Sequence, residues 1–286
     1  MVQSVMMDVD IPVLYGKVTD ELEIDFQAWR EKTKPQGVSA CIRVRNESQF
    51  MRAAVRSIVD LVDEVILCVQ PSEDNTREIA IALEMEYPGK VRSYYYPLVP
   101  DWIDTKGFYE KDPDQPGHMV HMSNWALSKC SYNWILKVEG DVIALPTLKG
   151  IIEKVLSQNE MKYYGLVILN VAGKDMDKIS WENPRNGGWD EAIFPNSPDM
   201  VRFVRRSKWE VAEPKIPSEC LGWALLHLKR CKAGKDEAWN GEHYVDFDRD
   251  TVTEALRNYN QANGYPGPDD PFGAHVLYTT EWKRYL

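Results

Sequence analysis

Two carboxylates separated by one glycine close a mostly apolar run, Trp134-Ile135-Leu136-Lys137-Val138-Glu139-Gly140-Asp141. At the end of a buried strand such a pair can hold a divalent cation and, through it, a diphosphate. Mg²⁺ and Mn²⁺ are hard ions that take oxygen ligands, commonly one or two carboxylates together with substrate phosphates. Gly140 lets the backbone turn and lets a ligand come close. Surface loops are full of acids, so the triplet carries weight only through the strand in front of it. His227 ends a second apolar run, Leu221-Gly222-Trp223-Ala224-Leu225-Leu226. It has two readings: a neutral imidazole ligand beside the acids, or a core-edge histidine bonded to a backbone carbonyl.

The elements that must position these groups follow from hydrophobic spacing. Val38–Val44 reads as a first strand, Ser48 to Val62 as a helix, Glu64–Val69 as a strand buried on both faces, and a second helix runs to Tyr87. A third strand is expected at Val91–Tyr96, a long loop at 97–117 and a helix from His118 to Cys130, which delivers the chain to the Trp134 strand. This alternation predicts parallel strands with right-handed crossovers in a doubly wound sheet, whose ligands sit at the carboxyl edge. Three polar loops fall at that edge: Arg45–Glu47, Gln70–Thr76 and Glu139–Asp141. Farther on, a helix is expected at Leu148–Leu156 and a strand at Tyr164–Val171. A loop rich in Trp, Asn, Pro and Gly should cover 173–198, followed by a strand at Met200–Arg206. Leu221–His227 should be a strand or short helix, and Asp250–Gln261 a helix.

Composition narrows the class. With 286 residues, 44% hydrophobic, the chain can bury a sizeable core. A formal net charge of −10 argues against a nucleic-acid binder but not against a nucleotide held through a cation. Five cysteines without C-x-x-C spacing read as free thiols in a reducing compartment. No secretory signal and no apolar run long enough to span a membrane is visible, so a cytoplasmic location is expected. Neither zinc-finger spacing, a P-loop nor a G-x-G-x-x-G occurs.

From residue 38 to about residue 230 the order of segments resembles the family 2 glycosyltransferases, which have the GT-A nucleotide-sugar-binding fold. The resemblance rests on a strand ending in an N-E pair (SACIRVRNESQF), a strand ending in an acidic, Ser- and Thr-containing loop (EVILCVQPSEDNTREIA), and an N-x-A helix before a D-x-D-like strand (SNWALSKCSYNWILKVEGDV). VRFVRR then precedes a run ending in histidine. It implies a Rossmann-like, mostly parallel sheet flanked by helices, with an irregular acceptor-side C-terminal half. On that reading residues 1–36 are an N-terminal extension and 37–286 one glycosyltransferase domain, with a nucleotide-binding half (38–145) and an acceptor half (146–286). It also implies a nucleotide-diphosphate sugar donor, Mn²⁺ or Mg²⁺ on Glu139, Asp141 and His227, and hexosyl or deoxyhexosyl transfer with inversion. The acceptor would be a glycan, lipid-linked or protein-borne.

Donor contacts are expected from Arg45, Asn46, Glu47, Gln70, Asn124, Glu139 and Gly140. Asn46 and Glu47 equally suit a helix start, and Ser72, Asp74 and Thr76 suit turns and caps. Gln70 stands where the family pattern has aspartate; an amide both donates and accepts, which leaves the choice of base open. Arg205, Arg206, Lys229 and Arg230 read either as phosphate contacts or as solvated charges. An inverting transfer needs a base for the acceptor hydroxyl, and the candidates are Asp190 and Glu191, after Gly187-Gly188-Trp189, and Glu219. Two other classes compete with the enzyme reading: a nucleotidyltransferase, and a nucleotide-sugar-binding module without activity.

Overall fold

Strand–helix alternation produces the expected parallel sheet over the first half of the chain. The computed structural model describes residues 22–172, 178–181, 191–228, 231–232 and 245–246. Strands β1 (Val38–Val44), β2 (Glu64–Val69), β3 (Val91–Tyr95) and β4 (Trp134–Glu139) lie in the order β3-β2-β1-β4, all parallel. Helix α1 (Phe26–Glu31) precedes β1, α2 (Met51–Ile58) joins β1 to β2 and α3 (Thr76–Glu86) joins β2 to β3. The short α4 (Lys106–Glu110) and the buried α5 (Met119–Ser128) lead into β4. Side chains alternate between faces along a strand. Ala40, Ile42, Val44, Val65, Leu67, Val69, Leu136 and Val138 therefore share one core with α2 and α3, while Cys41, Ile66, Cys68 and Ile135 share the other with α5.

The chain adds β2 and β3 on one side of β1, then returns to place β4 on the other. The loops leaving β1 and β4 consequently diverge, and the carboxyl edge between them is a switch point where ligands find room.

The second half is antiparallel where it joins the first. After β5 (Val142–Ala144) and α6 (Thr147–Gln158) come β6 (Tyr163–Ala172), β7 (Lys178–Trp181) and β8 (Glu191–Pro195). The hairpin β9 (Val201–Arg206) and β10 (Trp209–Pro214) precedes β11 (Ser218–His227) and β12 (Val245–Asp246). The sheet continues from β4 as β8-β6-β7-β12, with β11 pairing parallel to β6 and antiparallel to β5. The 173–198 segment thus departs from the expected loop. Residues Glu191–Pro195 are buried throughout and fill the gap between β4 and β6. Four residues and a proline are too few to show a period, and their strand character comes from the neighbours on both sides. The run expected as strand or helix before His227 is strand; a bulge interrupts it around Gly222, whose φ of +88° an L side chain rarely adopts. The helix expected at 250–261 lies outside the described residues.

Residues 22–36 pack on the body of the molecule. Trp29 is buried and donates to Asn196 Oδ1 at 2.6 Å, and Arg30 forks onto Asp199. Among the described residues no helix is long and apolar enough to cross a membrane.

Candidate metal and diphosphate site

Pairing of three strands brings the two carboxylates and the histidine together. Glu139 is the last residue of β4, and Asp141 sits in the turn between β4 and β5. Because β5 pairs with the end of β11, His227 faces Val142, and the Leu228 N–H donates to the Asp141 carbonyl at 2.9 Å. His227 Nε2 lies 3.3 Å from Asp141 Oδ1 and 3.5 Å from Glu139 Oε2. One ligand atom from each of the three residues falls within 4.8 Å of the others. Exposure is graded: the Asp141 side chain is 3% exposed, His227 12% and Glu139 40%, so the deepest acid is anchored and the outermost can be reached by a ligand.

The other imidazole nitrogen is fixed. Parallel pairing of β6 with β11 sets Asn170 directly beside His227, and Asn170 Oδ1 stands 3.1 Å from Nδ1. With the proton on Nδ1, the Nε2 lone pair is aimed at the carboxylates; a carbonyl-type oxygen behind a ligand histidine orients it in this way. Two carboxylate oxygens and one imidazole nitrogen suit Mn²⁺, and Mg²⁺ when water and phosphate complete the shell. The donor set fits the ion that the sequence implies.

A third acid joins from β1. Glu47 follows its end, and a Cβ on Gly140 would come within 2.8 Å of Val44 Cγ1 and 3.0 Å of Glu47 Cγ. That close approach, rather than backbone conformation, is why a glycine separates the acids. Lys232 Nζ bridges Asp141 Oδ2 at 2.6 Å and Glu47 Oε1 at 2.7 Å. Burial raises the Asp141 carboxyl, but a second proton on His227, placed on Nε2 and charging the ring, outweighs it together with Lys232 and holds Asp141 well below the usual carboxylate range; a cation at Nε2 would take that proton's place. Glu47 goes the other way. Burial and the neighbouring Asp141 charge push it up to about 7 against the pull of Lys232.

The β1 and β2 loops are stitched together by side chains bonded to backbone. Asn46, at φ 56°, accepts from the Glu73 N–H at 2.8 Å; Glu47 N–H donates to Thr76 Oγ1 at 2.8 Å; Ser48 N–H donates to Asp74 Oδ2 at 3.1 Å. Asn46 does not cap α2, which starts at Met51. Gln70 directly follows β2, 6% exposed, with its N–H on the Val44 carbonyl. Arg45 is partly buried, its Nε without a hydrogen-bond partner in the described structure.

Several expected contacts are not brought to this corner. The Asn124 amide is used on both sides by the Phe203 backbone, donating at 3.0 Å and accepting at 2.8 Å, and so staples α5 to β9. Glu219 lies eight residues before His227 on an extended strand, roughly 25 Å away, and is held by Lys154 and Lys162 at 3.1 Å each. Glu191 is in the sheet rather than on a loop, 1% exposed, with its carboxylate 3.5 Å from Lys137 Nζ. An acid so enclosed and paired is ill placed to take a proton from an acceptor. Asp190, Lys229 and Arg230 lie outside the described residues. Arg205 donates to the carbonyls of Phe108, Tyr109 and Lys111, closing α4, and Arg206 pairs with Glu213. Sequence reasoning missed two residues of the corner. Asn170 had a signal, as the one amide in the apolar run Tyr164–Val171; Lys232 had none beyond its basic neighbourhood.

No family model matches this chain, and no curated protein matches it. Solved structures do. A structure of TarS from S. aureus is 14% identical with a TM-score of 0.40, over 66% of this chain and 36% of that one, so the chain spans about a third of that relative. The 1–349 portion of TarS in complex with UDP-GlcNAc is 12% identical with a TM-score of 0.44, over 85% of this chain and 74% of that one. Glucosyl-3-phosphoglycerate synthase from Mycobacterium tuberculosis, in complex with Mn²⁺, UDP and phosphoglyceric acid, is 15% identical with a TM-score of 0.43, covering 68% and 72%. The chain's own strand order, with acids at the carboxyl edge of its switch point, is that of the Rossmann-like α/β sheet that the resemblance in the sequence implies.

Proposed function

We propose that the protein is a metal-dependent glycosyltransferase that moves a sugar from a nucleotide-diphosphate donor to a hydroxyl acceptor. The convergence of Glu139, Asp141 and an Asn170-oriented His227 at the switch point carries this reading. Glu139, Asp141 and His227 would hold Mn²⁺ or Mg²⁺, which supplies positive charge against the departing diphosphate. Asp141 would offer Oδ1 to such an ion, since Lys232 occupies Oδ2. Gln70 and the Arg45–Glu47 loop, at the ends of β2 and β1, are assigned to the nucleoside side of the donor. Inversion at the anomeric carbon, hexosyl or deoxyhexosyl transfer and a glycan acceptor, lipid-linked or protein-borne, follow from the family 2 resemblance. Asp190 is assigned as the acceptor base from its sequence position, Glu191 and Glu219 being engaged elsewhere.

The test is thermal unfolding with a panel of nucleoside diphosphates, with and without Mn²⁺. A ligand bound only by the folded state raises the midpoint by mass action. At least one diphosphate should stabilise the wild type far more with Mn²⁺ than with EDTA, and Asp141→Asn should abolish the difference. Turnover of the matching sugar nucleotide, with product anomer read by NMR, then separates an inverting transferase from an inactive binding module. Equal midpoints with Mn²⁺ and EDTA would remove the metal from the site.

A further inference from the structure

Lys232 occupies an unusual place in the acidic corner. It follows β11 by five residues, its side chain is 14% exposed, and its ammonium joins two acids from different strands: Asp141 after β4 and Glu47 after β1. Three carboxylates meet there. Buried acids of like sign repel one another unless cations stand between them. A lysine ammonium has three N–H donors. Glu47 and Asp141 take two, and the third has no protein partner among the described residues. Glu47 Oε2, beside it, is buried and makes no hydrogen bond in the described structure.

The charge inventory changes when a divalent ion sits on Glu139, Asp141 and His227. Three carboxylates, the ion and the ammonium then sum to neutrality, with His227 uncharged. A diphosphate entering this corner adds negative charge that the metal alone must answer, unless the ammonium serves it too. Lysine is a point charge on a flexible four-carbon stem, able to keep one carboxylate while turning another N–H outward. The Asn170 amide and the imidazole ring lack that reach and that charge.

We propose that Lys232 is a second cation of the site: it holds Glu47 and Asp141 together in the metal-free protein and binds the donor's diphosphate beside the metal. The proposal rests on the metal reading above and adds to it a phosphate-binding residue. Two opposite effects follow. Removing the ammonium relieves its competition for Asp141 and leaves Mn²⁺ alone bound as tightly or more tightly, yet diphosphate binding to the loaded site weakens.

Calorimetric titration of the full chain tests this, with Mn²⁺ alone and then with manganese pyrophosphate. In Lys232→Met the Kd for Mn²⁺ alone should stay level or fall, while that for manganese pyrophosphate should rise tenfold or more. Lys232→Gln, which keeps an N–H for the acids but no charge, should behave alike and serves if the Met variant does not fold. Lys149→Met, on the exposed face of α6, removes the same charge elsewhere and should change neither constant. A rise of less than threefold for pyrophosphate, with Mn²⁺ bound normally, overturns the role of Lys232 and leaves the metal site standing. Equal losses of Mn²⁺ and pyrophosphate affinity would make Lys232 a scaffold residue only. Failure of the wild type to bind Mn²⁺ at all overturns the metal reading and this proposal together.

Discussion

At the scale of single residues, the amide of Asn170 decides whether His227 can serve as a ligand. Without an acceptor at Nδ1 the imidazole is free to flip or to protonate the wrong nitrogen, and its lone pair no longer points at Glu139 and Asp141. Replacing Asn170 by Leu, close in size, should therefore weaken Mn²⁺ binding by about 10–100-fold, the usual range for such supporting partners. Paramagnetic resonance of free Mn²⁺ during titration would measure it, and an unchanged affinity would show that His227 stands outside the metal's shell. The acids and His227 were legible in the sequence because their spacing against apolar runs marks strand ends. Asn170 was visible only as a polar residue in an apolar strand. Lys232 was not legible, because its partner Glu47 lies 185 positions away and only the fold joins them.

Among elements, the contrast is between strands fixed by their own pattern and strands fixed by neighbours. β1, β2 and β4 alternate between two cores and announce themselves. β8 and β10 do not: β8 is five buried residues between β4 and β6, and β10 alternates little because it covers β9 with half-buried side chains. The N-x-A helix shows how a familiar motif can be redirected. Asn124 of α5 satisfies both polar groups of Phe203 in β9, so α5 and the hairpin are fastened through one amide. Asn124→Ala leaves a buried N–H and C=O without partners, at about 1–3 kcal/mol for each orphaned group. The expected outcome is a loss of about 2–6 kcal/mol in urea unfolding, with the Mn²⁺ affinity of the folded protein unchanged. A selective loss of nucleotide binding at full stability would instead restore Asn124 to the donor site.

Stability of the whole molecule should respond to acid through α5, where two histidines are buried in neutral form. His118 accepts from the Val120 N–H at Nδ1 and bonds the Phe108 carbonyl through Nε2. His121 Nδ1 lies 3.1 Å from Tyr96 Oη, which itself accepts from the Gly117 N–H. These bonds tie the 96–118 loop to α5 inside the core that Leu22 and Trp29 also enter, so both histidines report on global unfolding. Burial is the main cause that lowers the His121 pKa, to about 4 in all, with His118 adding to it and the Leu22 backbone and Asp114 opposing. In the unfolded chain it returns to about 6.5. Between those values the unfolded state binds the extra proton, so the stability His121 contributes is complete above pH 6.5 and drains away as pH falls towards 4. At about 1.4 kcal/mol per pH unit, the full gap amounts to about 3 kcal/mol. Glu47, raised to about 7, gives the opposite slope between pH 4.5 and 7, so the overall profile of the wild type mixes the two. The difference between wild type and His121→Asn isolates the histidine: Asn has no charge to gain, and its side-chain oxygen can still take the Tyr96 hydroxyl. Urea unfolding at pH 7.5 and pH 5 should show the wild type losing about 2 kcal/mol more than the variant over that interval. Parallel losses in the two proteins would mean that His121 already carries its proton in the folded state, and the neutral ring deduced from its burial and its Tyr96 partner would have to be abandoned.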